Sequence, residues 1–133
     1  MTNHTTRESW LNAAAERLNT MILTHTDLTP AEEGLVSTGW PRNDKKGKVI
    51  GQCYAKAAGS GVQHIFVSPM LHNRVTVLAV LLHELIHAAD DCENSHKGAF
   101  RKAWAALGFT DKPTTSVPGD DLKRALIEMS EEL

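Results

Sequence analysis

Two histidines and a glutamate interrupt an otherwise apolar stretch of the chain. Between residues 77 and 89 every residue is apolar except His83, Glu84 and His87. An ionised carboxylate in apolar surroundings is costly unless another charge compensates it. A metal cation bound by the two imidazoles supplies that compensation. The alternative, two hydrogen-bonded core histidines with Glu84 at a solvated edge, leaves the clustering of the three residues unexplained.

The spacing of these residues indicates a particular chemistry. His83 and His87 lie four residues apart, so on a helix they share one face and can both reach one zinc ion at about 2.0–2.1 Å. Glu84 can hold a water at that ion and take its proton while the water attacks a peptide carbonyl. Together they form the H-E-x-x-H pattern typical of zinc peptidases. The pattern predicts two zinc ligands and a general base.

A catalytic zinc site also needs a third protein ligand. The nearby candidates are Asp90, Asp91, Glu93 and His96. On a continuous helix, Asp91 would lie about 12 Å beyond the first histidine at 1.5 Å per residue, so the chain must turn before it can contribute. We predict that polar residues 91–95 make this turn and that His96 is the third ligand. Glu93 remains the alternative, and Asp90 or Asp91 is expected either to orient a histidine or simply to be solvated at the helix end.

Helices are predicted on both sides of this turn. The long one spans residues 73–90, and a shorter one runs from His96 to Leu107, with Gly108 ending it. Apolar residues at helical spacing predict an N-terminal helix at about 6–23. A loop with two prolines is expected at 110–119, followed by a C-terminal helix at about 120–130 that begins with Asp120 or Asp121 as its cap.

Short β-branched and aromatic runs predict a sheet of about three strands. They lie at Leu35 and Val36, at residues 49–54 and at residues 64–67. Because the polar, turn-rich residues 41–47 separate the first two, we expect these two strands to form a hairpin with a basic tip.

Composition limits the class of protein. The chain has 133 residues, 23% of them charged, and a formal net charge of -2. We therefore expect a single domain over residues 1–133 and a monomer, and DNA association is possible but is not supported by the charge. Cys53 and Cys92 have no partner at C-x-x-C spacing and are expected to be reduced thiols. Because no stretch resembles a signal peptide or a membrane span, we expect a cytoplasmic protein without membrane contact.

The chain resembles the SprT-like family of zinc metallopeptidases. The resemblance rests on residues 65–69 (IFVSP), 83–88 (HELIHA) and 95–100 (SHKGAF), with 51–53 (GQC) similar to the family's first strand. It covers a core at about 34–109. It implies an α+β, zincin-like fold with a small sheet beside the active-site helix, an extended peptide along the sheet edge, and His96 as the third zinc ligand.

The sequence departs from the family pattern in two places. Residues 97–99 are Lys-Gly-Ala where the family has Gly-Pro after the histidine, and no cysteine-rich zinc ribbon follows the core. The chain resembles the short, stand-alone proteins of phage and bacterial genomes, which places it in the host cytoplasm if a phage encodes it. Family members that cleave DNA-crosslinked proteins carry separate DNA-binding elements, which this sequence does not display.

These observations predict a zinc-dependent endopeptidase that acts on a protein or peptide substrate, with His83, His87 and His96 as ligands and Glu84 as general base. The rival hypothesis is a non-catalytic zinc module that fastens two helices together while its surface binds a protein or DNA. Glu84 distinguishes the two, because a structural zinc site is normally closed by four protein ligands and needs no carboxylate at this position.

Overall fold

The computed structural model describes residues 6–31, 34–38, 51–54, 63–68, 71 and 73–133. Within these residues the protein is α+β. Its helices are α1 (Arg7–His25), α2 (Arg74–Ala89), α3 (Gly98–Leu107) and α4 (Asp120–Glu132). Its strands are β1 (Gly34–Thr38), β2 (Gly51–Tyr54), β3 (Gln63–Val67), β4 (Phe109–Thr110) and β5 (Val117–Pro118). The predicted helices and the three predicted strands are therefore present, with small shifts at their ends.

The three-stranded sheet is mixed, and β3 lies at its centre. β3 pairs parallel with β1 and antiparallel with β2. The predicted hairpin between the first two strands is therefore wrong, because β3 separates them; its tip at 41–47 lies outside the described residues. The reason is burial: Ile65 and Val67 of β3 are 1% and 0% exposed, and the central position gives this apolar strand hydrogen-bonding partners on both edges.

Helix α2 is the centre of the fold. Asn73 caps its first turn by accepting a hydrogen bond from the Thr76 amide, and the helix ends at Asp90. It packs against α1, α3 and α4 and against β2 and β3. Burial on nearly all sides explains why its sequence is apolar around most of its circumference. His83 and Glu84, which interrupt the apolar part of this helix, are therefore buried.

The segment after α2 differs from its prediction in two details. Helix α3 begins at Gly98 with Lys97 as N-cap, so His96 lies just before the helix rather than within it. Gly108 ends α3 as predicted, with a left-handed φ of 101° that glycine adopts easily. Residues 110–119 are not simply a loop, because β4 and β5 pair there as a short antiparallel hairpin.

The C-terminal helix begins as predicted, but its cap is different. Gly119 is the N-cap and makes no side-chain cap hydrogen bond, so the expectation that Asp120 or Asp121 caps the helix is wrong. A β carbon at Gly119 would lie 2.8 Å from the Gly108 carbonyl oxygen. Close approach of the two backbones therefore requires glycine here, and the aspartates lie in the first turn, where the helix dipole favours negative charge.

The four helices and strands β1, β3 and β4 contribute side chains to one hydrophobic core. α1 contributes Leu11, Leu18 and Ile22, which are fully buried, and α4 contributes Leu126. Among the described parts of the chain, no helix combines the length and the apolar character needed to cross a bilayer.

Candidate metal centre

Three histidine side chains converge beside α2. His83 and His87 lie one turn apart on the helix, and His96 reaches them from the following turn; one ring nitrogen of each lies within 4.8 Å of the other two. The Nε2 atoms of His87 and His96 are 3.2 Å apart. Two nitrogens bound tetrahedrally to one zinc at about 2.0–2.1 Å would be about 3.3–3.4 Å apart. The three histidines could therefore hold a metal ion, and their donor set suits a divalent transition metal.

A tight turn brings His96 back to the helix. Asp90 is 6% exposed, and its carboxylate accepts hydrogen bonds from the backbone amide and the side-chain amide of Asn94. The turn contains three left-handed non-glycine residues, Asp91, Cys92 and Ser95. Because such backbone is disfavoured for residues with side chains, the turn needs stabilising contacts. Asp90 supplies these contacts. It therefore orients the turn that carries His96, and it does so through Asn94 and not by a hydrogen bond to an imidazole ring.

The orientation of His83 is set by a backbone carbonyl. Its Nδ1 lies 3.1 Å from the carbonyl oxygen of Thr115, which also accepts a hydrogen bond of 3.2 Å from Trp104 Nε1. A carbonyl oxygen can only accept, so Nδ1 carries the proton and Nε2 keeps its lone pair. Metal-binding histidines commonly donate their second N–H to such an acceptor. Thr115 was not predicted from sequence, because a backbone carbonyl leaves no trace in residue type.

Phe100 packs against all three imidazoles. Its ring is fully buried and stacks on His87 at 4.0 Å between centroids, with 16° between the planes. The centroids of His83 and His96 lie 5.1 and 5.2 Å away in edge-on arrangements. This aromatic surface restricts the three rings and keeps water from one side of the cluster.

Glu84 is buried next to this cluster, between α2 and β2. It is 7% exposed, and a β carbon at Gly51 would lie 3.1 Å from its Oε2 atom. Burial, with a smaller contribution from the charge of Cys92, raises the pKa of Glu84 to about 8. In the metal-free protein this carboxyl is mostly protonated at pH 7. A nearby divalent cation would favour the carboxylate form and lower that pKa.

Burial also keeps the histidines neutral. It lowers the pKa of His83 to about 4, with the charge of His96 acting in the same direction and the Thr115 hydrogen bond opposing it. Burial, followed by the charges of His83 and His96, lowers the pKa of His87 to about 3. Burial lowers the pKa of His96 as well. At pH 7 all three imidazoles are in the form that binds metals.

The other predicted ligand does not join this group. Glu93 is exposed, and in the described part of the chain the cluster contains the three histidines and no further cysteine, aspartate or glutamate. No protein-family model matches the chain, and no curated protein or solved structure matches it. The function of the site is therefore inferred from its residues.

Proposed function

We propose that this protein is a zinc-dependent endopeptidase of the SprT-like kind with a zincin-like core. The observation that carries the proposal is the convergence of His83, His87 and His96, of which the first two lie on an H-E-x-x-H helix whose glutamate is buried. In this proposal His83, His87 and His96 hold the zinc ion. When bound, zinc supplies Lewis-acid chemistry, polarising a peptide carbonyl and lowering the pKa of water.

Glu84 moves the proton in this proposal. General acid–base catalysis works best when the pKa of the group lies near the working pH, because the group can then both accept and donate. Burial raises the pKa of Glu84 toward that range, and a bound cation would bring it back down from about 8. Glu84 is therefore suited to take a proton from the attacking water and to pass it to the leaving amine.

The edge of β2 is our proposed site for the substrate backbone. In the described sheet β2 pairs on one side only, with β3. The free edge of a strand can hydrogen-bond an extended peptide as an added strand. Because Gly51 of β2 lies against Glu84, a peptide paired with β2 would run close to the general base. Protein or peptide is the substrate class that this arrangement favours.

The rival hypothesis, a non-catalytic zinc module, is less well supported. Structural zinc sites normally use four protein ligands, whereas catalytic sites use three and leave one position open. The group in the described residues has three. A module that merely fastens helices also gives no reason to bury a carboxyl group beside the ligands, where its ionised form is costly.

Zinc content and proteolysis, measured on the same preparations, test the proposal. The wild type, Glu84→Gln and His96→Ala are purified, analysed for zinc by elemental analysis, and incubated with an unfolded protein substrate. We expect one zinc per chain in the wild type and in Glu84→Gln, much less in His96→Ala, and cleavage by the wild type alone. A wild type that takes up no zinc when it is supplied refutes the metal site. Cleavage by Glu84→Gln at the wild-type rate refutes the general-base role.

A further inference from the structure

The β4–β5 hairpin reaches back to the histidine cluster. We propose that this hairpin is a working part of the metal site: the Thr115 carbonyl holds His83 in the tautomer and orientation that turn Nε2 toward the ion. The inference rests on the metal site proposed above. It assigns a positioning role to the hairpin at residues 109–118, where the sequence predicts a loop over residues 110–119.

The hydrogen-bonding requirements of two buried rings support this role. His83 is 4% exposed and Trp104 is 6% exposed, so their N–H groups need acceptors inside the protein. Both donate to the Thr115 carbonyl oxygen, at 3.1 and 3.2 Å. A carbonyl oxygen has two lone pairs and can serve both donors. The carbonyl therefore links a proposed zinc ligand to a core tryptophan.

The hairpin is built to hold this carbonyl in place. The amide and the hydroxyl of Thr115 both donate to the Lys112 carbonyl oxygen, at 2.8 and 2.7 Å, which closes the turn. Below the turn, Phe109 pairs with Pro118 across the two strands, and its ring stacks on Trp104 at 5.9 Å with 9° between the planes. The first two contacts close the hairpin on itself, and the contacts with Trp104 join it to α3, so the carbonyl has little freedom to move.

Loss of this contact should weaken metal binding without removing any ligand. If the ring of His83 flipped, Nε2 would no longer face the other two histidines. If its proton moved to Nε2, that nitrogen would have no lone pair for the metal. Without this acceptor the His83 ring is not fixed before the metal binds, and fixing it then uses part of the free energy of metal binding. Removal of such partners weakens metal affinity by about 10–100-fold in other proteins.

The test removes the carbonyl but keeps the strand pair. Because Thr110 pairs with Val117, the intervening residues 111–116 can be replaced by Asn-Gly, a two-residue turn suited to antiparallel strands. Thr115→Ala is the matched control, since it removes the hydroxyl contact and keeps the carbonyl. Trp104→Phe is the second variant, in case the shortened hairpin does not fold, because it removes one donor and keeps an aromatic ring.

Two measurements are made on each protein: the tautomer of His83, by NMR of ¹⁵N-labelled imidazoles in the metal-free state near neutral pH, and zinc affinity, by competition with a chromophoric chelator. We expect protonated Nδ1 in the wild type and in Thr115→Ala. We expect this state to be lost and zinc affinity to fall about 10–100-fold in the shortened variant. Trp104→Phe should weaken zinc binding less and shift the Nδ1 resonance.

Two results would overturn the inference: a wild-type His83 protonated on Nε2, or undiminished zinc affinity in a folded shortened variant. If the shortened variant is unfolded, unchanged affinity and an unchanged Nδ1 resonance in Trp104→Phe count against the inference in the same way. A wild type without zinc affinity refutes the proposed function instead. The tautomer in the metal-free protein would still decide whether the hairpin holds His83.

Discussion

A methyl group added at Gly51 should disturb both the packing of β2 on α2 and the position of Glu84. The β carbon of an alanine there would lie 2.6 Å from Val80 Cγ1 and 3.1 Å from Glu84 Cγ and Oε2. Carbon atoms pack best at about 3.5–4.0 Å, so the strand and the helix must separate locally by about 1 Å. Val80 is 1% exposed and β-branched, which prevents it from rotating away.

The expected cost follows from these distances. Overpacking a core contact typically costs about 1–3 kcal/mol. Alanine also restricts the unfolded chain more than glycine does, which returns about 0.4–1 kcal/mol. We therefore expect Gly51→Ala to reduce the free energy of unfolding by about 1–2 kcal/mol.

A double-mutant cycle with Val80→Ala identifies the cause. Val80→Ala alone should cost about 2–3 kcal/mol, because it removes buried methyl groups and leaves a cavity. The two changes together should cost at least about 1 kcal/mol less than the sum of the single effects, because the new methyl group occupies the space that Val80 vacates. The free energies come from urea unfolding of the four metal-free proteins, with the slopes compared to check that each unfolds in the same way.

Additive effects, within about 0.3–0.5 kcal/mol, would refute the packing argument. The functional readout is separate. Gly51→Ala touches no histidine, so zinc binding should be retained while proteolysis falls. Because the close contact with Glu84 remains after Val80→Ala, the double variant should recover stability without recovering activity. Full activity in Gly51→Ala would show that the position of Glu84 tolerates the added methyl group.

Three further predictions concern the surroundings of the histidines. Phe100→Ala should lower the free energy of unfolding by about 3–5 kcal/mol and weaken zinc binding. Phe100→Leu keeps most of the side-chain volume and should mainly weaken zinc binding. Thermal unfolding measures the change in stability, and chelator competition measures the change in zinc affinity. Asp90→Ala and Asn94→Ala should each weaken zinc binding, because each removes the hydrogen bonds that hold the turn carrying the third histidine. The double variant should lose less zinc affinity than the sum of the two single losses; additive losses would show that the two residues do not act through the same hydrogen bonds. The metal-free protein should be most stable near pH 6.5. Below this pH the unfolded chain takes up protons that the two histidines of α2, with pKa values of about 4 and 3, do not bind in the folded state. In the unfolded chain Glu84 is already ionised above its ordinary pKa of 4.5, whereas the folded protein keeps this proton up to about pH 8. Above pH 6.5 the histidines no longer oppose this effect and stability falls, so Glu84→Gln should remove the decline on the alkaline side in unfolding experiments at fixed pH steps.

Local sequence alone determined the helices and the centre of the candidate site. The Asn73 cap, the apolar run and the four-residue spacing of His83 and His87 all act within a few residues of chain, so their effect can be derived without the fold. Gly108 likewise ends α3 because of its own backbone freedom. His96 could be predicted as the third ligand because the chain must reverse after α2 before a further side chain can reach the two histidines. In the structure His96 does lie beside His83 and His87.

Contacts between distant parts of the chain decided the rest. The order of the sheet depends on which strand loses most solvent exposure when it lies between two others. This cannot be read from residues that are neighbours in sequence, so the hairpin prediction was wrong. The lack of space for a side chain at Gly51 arises only when β2 packs on α2. The acceptor for His83 is a backbone carbonyl, which every residue type possesses. Only the tertiary structure could show that Thr115 provides it, because folding places one particular carbonyl within hydrogen-bonding distance of a buried N–H.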